Sequence, residues 1–396
     1  MANPGMFVKL MKVKKVFFRT THSEEYLNIE QKASKAARTA ALYNLEHFHQ
    51  AWNTPNIRRL MGNELLFPPS PRVISALMET LNQINYYPED AGTHLPLREA
   101  LAQYVGLPGK ADWVTVGNGS MENIDMVPRA FIDDDDEILL PCPDYSPYAR
   151  RPQIYGAKVV DVTPDAHFNY TIEDFTAKLT PRTKMIILSR PNAPIGNMVS
   201  RDLVERLCQL DCIVVVDEAY TEFSQESVCD LVEKNENLLI SRTFSKAMGL
   251  GGIRLGFLIA QPKLIEWINR VRVPINVSLL TQVAAIAAVE DEAYIRANTQ
   301  KVIENRNYFF QAVSQVPGMQ PIPSLGNFVM VNCKKTGKNG QFFYDALLKA
   351  GYLVRCFDNA RGMPGEGFFR VTIGTRQDVE GVIDVLHTQM ALVFST

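Results

Sequence analysis

The sequence is short of the features that mark several large classes of protein. It has six cysteines in 396 residues, and none of them stands in a CxxC pair. No histidine cluster accompanies them at the spacing of a zinc site, and the nearest pair, Cys208 and Cys212, lies one helical turn apart. This pattern argues against a metal centre and against a disulfide-bonded secreted protein, and it favours a reducing cytoplasm.

A strong charge of one sign and long apolar runs are missing as well. Lysine and arginine together number 41 and aspartate and glutamate 43, which gives a formal net charge of −2. No long-range field therefore favours nucleic acid or an anionic membrane as a partner. Near the N-terminus, Lys9, Lys12, Lys14 and Lys15 interrupt the apolar residues, and no apolar core of a signal peptide follows. Because no uncharged run is long enough to span a bilayer, we expect a soluble protein.

What the sequence does contain is an alternation of short β-rich runs and helical patterns between about residues 114 and 259. The run from 213 to 216 is continuously apolar, as expected for a strand covered by helices on both faces. Such alternation predicts an α/β fold with a mainly parallel sheet in a three-layer αβα arrangement. The predicted strands are 113–116, 137–140, 158–162, 185–189, 213–217, 238–241 and 255–260.

The residues after this block follow a different pattern. One long helical stretch is predicted from about 278 to 316, and beyond it strands and helices mix as in a small α+β domain. The strands predicted there are 327–332, 351–355 and 368–373, and the helices are 341–350 and 377–394. Residues 1–60 are polar and helix-prone without a clear core pattern. We therefore expect an N-terminal arm over 1–60, a large domain over 61–285 and a small C-terminal domain over 286–396.

The first candidate for chemistry is Thr243-Phe244-Ser245-Lys246, which follows a predicted strand and leads into a glycine-rich turn with Arg254. A single lysine is usually a solvated surface charge. Here two hydroxyls and an arginine on one turn can bind a phosphate, while the lysine amine can form a Schiff base with an aldehyde. The glycines allow the backbone to approach such a ligand closely.

Two further candidates follow apolar strands. Asp217 stands at the carboxyl end of its strand, where ligands bind in open α/β sheets. Its carboxylate can hold a protonated pyridine nitrogen, or it can cap the next helix. Asn192 lies on a turn fixed by two prolines, and its amide can bind a phenolic oxygen on a ring. The Ala193–Pro194 bond in this turn is a candidate for a cis peptide.

Two weaker signals stand earlier in the chain. Gly119 and Ser120 lie between a predicted strand and a helix, where backbone N–H groups and the positive end of the helix favour a phosphate. Tyr145 follows the next strand and either stacks on an aromatic ring or packs in the core. The joint order of all these motifs is more specific than any one of them, and Asp217 and Lys246 are 29 positions apart.

In this order of motifs, from about Asn63 to the C-terminus, the chain resembles the fold-type I pyridoxal 5′-phosphate (PLP) enzymes. It is most similar to the class I/II aminotransferases, and within them to the histidinol-phosphate aminotransferase branch. The resemblance implies PLP joined to Lys246 as a Schiff base, with Asp217 and Tyr220 as the other catalytic residues. It also implies a homodimer with a shared active site. The implied cofactor-binding residues are Gly119, Ser120, Tyr145, Asn192, Asp217, Tyr220, Thr243, Ser245, Lys246, Arg254 and, from the neighbouring subunit, Tyr87.

On the substrate side, the resemblance implies that Arg370 clamps the substrate α-carboxylate, with Asn327 and Arg355 close by. Arg355 either meets a second acidic group of the substrate or pairs with Asp358 or Glu366. The implied reaction moves an amino group between an α-amino acid, or an amino phosphate such as histidinol phosphate, and a 2-oxo acid. A lyase, decarboxylase, cyclase or oxidase on the same scaffold is the alternative, because the pose of the substrate decides which bond at the α-carbon breaks.

Overall fold

A computed structural model describes residues 29–40, 42 and 45–394. Residues 1–28 of the predicted arm lie outside the described residues. The helices are α1 (Ile29–Lys32), α2 (Lys35–Thr39), α3 (Glu46–Asn53), α4 (Pro71–Thr80), α5 (Leu95–Tyr104), α6 (Ser120–Phe131), α7 (Pro147–Ile154), α8 (Ile172–Thr176), α9 (Arg201–Leu207), α10 (Thr221–Ser224), α11 (Pro262–Val271), α12 (Leu279–Val289), α13 (Glu292–Ser314), α14 (Gly340–Lys349) and α15 (Arg376–Phe394). The strands are β1 (Arg58–Arg59), β2 (Val114–Gly117), β3 (Glu137–Pro141), β4 (Lys158–Val162), β5 (Thr183–Ser189), β6 (Ile213–Asp217), β7 (Leu238–Thr243), β8 (Gly256–Ile259), β9 (Gln320–Pro321), β10 (Phe328–Asn332), β11 (Tyr352–Leu353), β12 (Arg355–Cys356) and β13 (Phe368–Thr372).

The large sheet has seven strands in the order β2-β8-β7-β6-β5-β3-β4. Only β8 runs antiparallel to its neighbours, so the predicted mainly parallel α/β fold is confirmed. The register pairs Ser189 with Asp217 and Asp217 with Ser241. The carboxyl ends of β5, β6 and β7 therefore meet at one edge of the sheet.

The apolar run of β6 shows why this sheet is covered on both faces. Val214 and Val216 belong to one hydrophobic core, whereas Val215 belongs to another. Successive side chains of a strand point to opposite faces, so an uninterrupted apolar run supplies both cores at once. β4 and β6 have the predicted bounds, and the other five strands of this sheet differ from the prediction by one or two residues at their ends.

A smaller sheet, in the order β12-β13-β10-β9, is antiparallel throughout. Its register places Arg355 of β12 beside Arg370 of β13. The prediction of one strand over 351–355 is wrong, because the chain divides there between two sheets. β11 pairs in parallel with β1, while β12 pairs with β13.

The stretch from about 278 to 316 is helical, as predicted, but it is divided into two helices. α12 ends at Val289 and α13 begins at Glu292, with Asp291 at the break in a non-helical conformation. The Asp291 carboxylate accepts a hydrogen bond of 2.5 Å from the Ser70 hydroxyl, which ties the break to the start of α4. Among the described residues, no helix is long and apolar enough to cross a membrane.

The described end of the predicted arm packs on β11, which pairs with β1, and on α14. Ala51 of α3 forms a small apolar cluster with Met61 and Leu353, and Phe48 and Tyr344 pack against it. The amphipathic helix α3 therefore buries one face on β11 and α14. Its other side chains are left to face solvent or the space between the sheets.

Candidate functional site

A cavity of about 1180 Å³ opens where the carboxyl ends of β5, β6 and β7 face the smaller sheet. The large sheet alone does not enclose it, because β12 and β13 and the arm helix α3 form part of the wall. The predicted site residues that line it are Ser120, Tyr145, Asp217, Tyr220, Thr243, Ser245, Lys246, Arg254, Arg355 and Arg370. The fold thus brings together residues that lie as far as 250 positions apart in the chain.

Four predicted residues do not line this cavity. Gly119, Asn192 and Asn327 stand directly behind its wall, in contact with residues that do line it or that hold it in place. Tyr87 is 90% exposed and lies away from the cavity of its own chain. Its predicted role in a neighbouring subunit stays a prediction.

Asp217 is almost fully buried at the end of β6. Its carboxylate accepts a hydrogen bond of 3.0 Å from the backbone N–H of Ala219 and a second, short one from the Tyr148 hydroxyl. Burial raises the pKa of this carboxyl to about 6, although the bond from Tyr148 opposes that rise. A cationic ring nitrogen placed against Asp217 would compensate the buried negative charge, so the chemistry of the site suits a pyridinium.

Tyr148 is a site residue that the sequence did not indicate. It stands three positions after Tyr145 on α7, and its ring meets the ring of Tyr145 edge to face at 5.6 Å. The side chain is 1% exposed, and burial next to Asp217 raises its pKa far above the usual value, so the hydroxyl keeps its proton. A protonated hydroxyl can only donate to the carboxylate here, which favours the ionised form of Asp217.

The predicted phosphate site is a tight cup between the start of α6 and Arg254. Gly119, with φ +82°, precedes the helix without a side-chain cap, so backbone N–H groups of the first turn stay available. A Cβ at Gly119 would collide with the Arg254 guanidinium, and one at Gly256 would collide with the backbone N of Ser120. Only glycine at both positions leaves the guanidinium and the helix N-terminus facing the same space, with Thr243 and Ser245 at its rim.

Lys246 projects into the cavity between this cup and the smaller sheet. Its Nζ donates a hydrogen bond of 2.9 Å to the carbonyl oxygen of Gly62 and lies 5.8 Å from the centre of the Tyr220 ring. The Tyr220 hydroxyl accepts a hydrogen bond of 3.0 Å from Nδ2 of Asn63. Asn63, which the sequence did not assign a role, is held in turn by Thr372. This chain of bonds fixes the phenol next to the lysine amine.

The asparagine turn is built as a rigid unit, but its cis peptide was predicted at the wrong place. The cis bonds are Arg190–Pro191 and, in the facing loop, Cys142–Pro143, whereas Ala193–Pro194 is trans. Asn192 donates from Nδ2 to the carbonyl of Pro143 at 3.1 Å and accepts from the N–H of Ile195 at 3.2 Å. The amide is thereby held in one orientation beside the end of β5.

A second buried acid, Asp144, supports the same turn. Its carboxylate accepts a hydrogen bond of 2.5 Å from the Ser189 hydroxyl and one of 2.7 Å from the N–H of Tyr145. Burial and, to a smaller extent, the nearby charge of Asp217 raise the pKa of Asp144 to about 7, although the hydrogen bonds from Ser189 and Tyr145 oppose that rise. Ser189 also accepts from the N–H of Ala193, so Asp144 is linked to the turn that carries Asn192.

Arg370 and Arg355 form the opposite wall. Arg370 is 6% exposed, donates from Nη2 to the carbonyl of Met61 at 3.0 Å, and lies over the rings of Phe328 and Phe357. The guanidinium of Arg355 also lies over Phe357, 5.4 Å from the ring centre.

The predicted alternative in which Arg355 pairs with an acidic neighbour is wrong for the described part of the chain. The Asp358 carboxylate instead accepts four backbone N–H groups, two from the start of α14 and two from Gly367 and Phe368. Glu366 is near the amides of Asn339 and Asn359. Within the described residues Arg355 makes no ion pair, and its guanidinium remains available to the cavity.

The sequence also missed the contribution of the arm. Glu46, His47 and Gln50 of α3 line the cavity on the side of the two arginines. Polar residues on a short helix carry no motif, and only the packing of α3 on β11 reveals which of them face inward.

Comparison with known proteins agrees with this geometry. The family model described as aminotransferase class I and II matches residues 56–386. The chain belongs to this family. It is 33% identical over 332 residues to a histidinol-phosphate aminotransferase of Methanothermobacter thermautotrophicus, a match that covers 83% of this chain and 88% of the relative. It is 37% identical over 334 residues to histidinol-phosphate aminotransferase 1 of Bradyrhizobium diazoefficiens, covering 83% and 91%.

Among solved structures, the histidinol-phosphate aminotransferase of Sinorhizobium meliloti in complex with pyridoxal-5′-phosphate superposes with a TM-score of 0.80. Its sequence is 22% identical, and the match covers 91% of this chain and 98% of that one. The chain is thus a fold-type I, PLP-dependent aminotransferase of the histidinol-phosphate aminotransferase branch. The buried acid Asp217, the amine of Lys246 and the cup formed by Gly119 and Arg254 fit this cofactor.

Proposed function

We propose that this aminotransferase moves an amino group between a phosphorylated amino compound such as histidinol phosphate and a 2-oxo acid. The observation that supports this substrate class is the position of Arg355, on the strand beside Arg370, facing the cavity without an ion pair among the described residues. A phosphate monoester carries a charge of about −1.5 to −2 at neutral pH. Two guanidiniums match that charge better than the single charge of a carboxylate, and arginine suits the bidentate binding of phosphate.

We assign the cofactor contacts by the same geometry. The cofactor phosphate is bound by the N-terminus of α6 and by the arginine and hydroxyls of the lysine turn. The residues concerned are Gly119, Ser120, Thr243, Ser245 and Arg254. Asp217 holds the ring nitrogen, Asn192 and Tyr220 hold the phenolic oxygen, and Tyr145 stacks on the ring. Asn327 supports this arrangement from behind, through its hydrogen bond to the carbonyl of Asn63.

The side chains of the site have separate roles in the reaction. PLP, when bound, supplies an aldehyde that joins amines and a ring that withdraws electrons from the carbon bearing the amino group. Asp217, whose ionised form the bond from Tyr148 favours, would hold the ring nitrogen in its protonated form and so strengthen that withdrawal. Lys246 would hold the cofactor through its amine, and its Nζ would accept and return the proton of the substrate carbon that bears the amino group. Arg370 and Arg355 fix the anionic group of the substrate, and the smaller sheet excludes water from this side.

The shared active site is part of the proposal. The end of α4 and the segment after it expose a row of large apolar side chains, with Ile84 62% exposed, Tyr86 70% and Tyr87 90%. Such a patch is typical of an interface, and a second copy of this chain is the partner that we propose. In that dimer Tyr87 donates a hydrogen bond to the cofactor phosphate of the neighbouring subunit.

The substrate class is tested with single turnovers of the PLP-loaded protein, read from the absorption of the cofactor. We expect histidinol phosphate to convert the cofactor at far lower concentration than histidinol, its analogue without phosphate. Arg355→Gln should weaken the binding of histidinol phosphate by about 10- to 150-fold, as expected for a charge-assisted bond worth about 1.5–3 kcal/mol. The same change should hardly alter the reaction of histidinol.

Arg361→Gln is the matched control, because Arg361 also lines the cavity but is paired with Asp161. The proposal fails if a carboxylate amino acid converts the cofactor better than histidinol phosphate does. It also fails if removal of the phosphate group or of the Arg355 side chain does not change the substrate concentration needed to convert the cofactor.

A further inference from the structure

The arm helix α3 brings a histidine to the wall of the cavity that carries the two arginines. The helix is anchored by Ala51 and Phe48 on Leu353, and Gln50 accepts a hydrogen bond of 2.5 Å from the hydroxyl of Tyr344. These contacts fix the rotation of the helix, so that His47 lines the cavity. Its ring nitrogen Nε2 is buried and has no hydrogen-bond partner within the described part of the chain.

His47 lines the same cavity as the guanidiniums of Arg355 and Arg370, and both of these charges act on its imidazole. Burial lowers the pKa of His47, the charges of Arg355 and Arg370 lower it as well, and together these effects bring it to about 4. Histidine at neutral pH is therefore uncharged here, whereas its ordinary pKa is about 6.5. A buried nitrogen that has no hydrogen-bond partner among the described residues, and that feels two positive charges, is a costly arrangement unless a ligand completes it.

We propose that His47 is a specificity-determining residue for the anionic group of the substrate, forming one binding site with Arg355 and Arg370. The ligand class is a tetrahedral dianion such as a phosphate ester, which offers acceptor oxygens to all three side chains. The inference rests on the proposed function in that it takes these two arginines as the anion site. Beyond the proposed function, it assigns a third side chain to this site, His47 on the arm, and it predicts that anion binding is coupled to the uptake of a proton.

The proton balance follows from the charges. A bound dianion offsets the repulsion between the two guanidiniums and the imidazole, so His47 takes up one proton from solvent and donates it in a hydrogen bond to the anion. Because the pKa of His47 rises on binding, the anion binds more tightly as the pH falls below the bound pKa. Other ionisable groups line the same cavity and must be separated from this effect by the variants, namely Glu46, Asp144, Tyr145, Tyr148, Arg150, Asp161, Asp217, Tyr220, Lys246, Arg254, Tyr344, Cys356 and Arg361.

The size of the linkage can be worked out from these values. If the dianion restores the ordinary pKa of about 6.5 from the value of about 4, affinity at pH 5 should exceed affinity at pH 7 by about 20-fold. Without a titrating group at position 47, this part of the pH dependence should vanish. Affinity for the anion at pH 5 should then fall by a similar factor.

The probe is inorganic sulfate, a dianion that does not titrate in this pH range. Its binding to the PLP-loaded protein is followed by calorimetry at pH 5 and pH 7, in pairs of buffers with different ionisation enthalpies, which gives the number of protons taken up. We compare wild type, His47→Gln and His49→Gln. His49 lies on the exposed side of the same helix and is the matched control. Wild type and His49→Gln should take up close to one proton per sulfate at pH 5, and His47→Gln close to none.

A second measurement does not depend on the variant folding. The titration of the His47 ring in wild type, followed by NMR with and without sulfate, should move from a pKa of about 4 towards about 6.5. The inference is overturned if sulfate does not bind, or if His47→Gln keeps the proton uptake of wild type. A ring pKa unmoved by bound sulfate would also overturn it. The proposed function fails separately, when histidinol phosphate does not convert the cofactor even though sulfate binds with proton uptake.

Discussion

The hydrogen bond from Tyr148 to Asp217 offers a sharp test, because one hydroxyl can be removed without changing the shape of the core. In Tyr148→Phe the ring still fills its buried place against Tyr145. The carboxylate, however, loses one of its two hydrogen bonds and keeps only the N–H of Ala219. Its pKa, already raised by burial to about 6, should therefore rise further.

A hydrogen bond to a charged group contributes about 1.5–3 kcal/mol, which corresponds to about 10- to 150-fold in a dissociation constant. Because this loss acts through the protonated fraction of Asp217 in the cofactor-free protein, we expect Tyr148→Phe to weaken PLP binding by a factor in this range at pH 5 and by about 2- to 15-fold at pH 7. The loss should grow at lower pH, where a larger fraction of Asp217 is protonated in the cofactor-free protein. The dissociation constant is measured by titrating the cofactor-free protein with PLP and following its absorption.

Tyr155→Phe is the matched control. Tyr155 also donates a hydrogen bond to a carboxylate, to Asp125 at 2.9 Å, but it lies outside the cavity. It should leave PLP affinity unchanged. If Tyr148→Phe binds PLP within twofold of wild type at pH 5, the reasoning about Asp217 is refuted.

Three other predictions concern the same site. Asp144 binds a proton in the folded state up to a pKa of about 7, so the free energy of unfolding of the cofactor-free protein should fall as pH rises from 5 to 8. This residue should account for about 2–3 kcal/mol of that fall, and urea unfolding of Asp144→Asn should show a correspondingly flatter pH dependence; an equal slope in both proteins would contradict the assignment. Arg254→Gln should weaken PLP by about 10- to 100-fold while leaving affinity for pyridoxal, which lacks the phosphate, within twofold, and an equal loss for both ligands would place the phosphate elsewhere. Tyr87→Phe should weaken the binding of PLP. If Tyr87 acts across the dimer, mixing this variant with Lys246→Ala should give heterodimers in which one of the two sites has both Tyr87 and Lys246, and activity should return. No return of activity on mixing would rule out a shared site.

The cofactor side of the cavity could be predicted because its residues follow directly from the strands that carry them. Asp217 and Thr243 end adjacent parallel strands, so the sheet itself brings them to one edge. Lys246 and Arg254 follow on the next turn. The α/β class was equally clear, because the run from 213 to 216 supplies apolar side chains to both faces.

The remaining parts of the site and of the fold depend on contacts between distant residues, which no local sequence pattern predicts. Asn63 meets the Tyr220 hydroxyl across 157 positions, and His47 reaches the arginines only because α3 packs on β11. Tyr148 of α7 meets the Asp217 carboxylate across 69 positions. The division between β11 and β12 depends on pairing with β1, which is only two residues long. The domain boundaries at residues 60 and 285 and the role of each site residue stay predictions.

The measurement that tests the central claim most directly is reductive trapping of the cofactor on the protein. The PLP-loaded protein is treated with borohydride, and the modified lysine is located by mass spectrometry before and after histidinol phosphate is added, and again after a 2-oxo acid. We expect the label on Lys246 alone, its loss once the amino group has been transferred to the cofactor, and its return with the 2-oxo acid. A label on another lysine, or one that the amino donor leaves unchanged, would contradict the account.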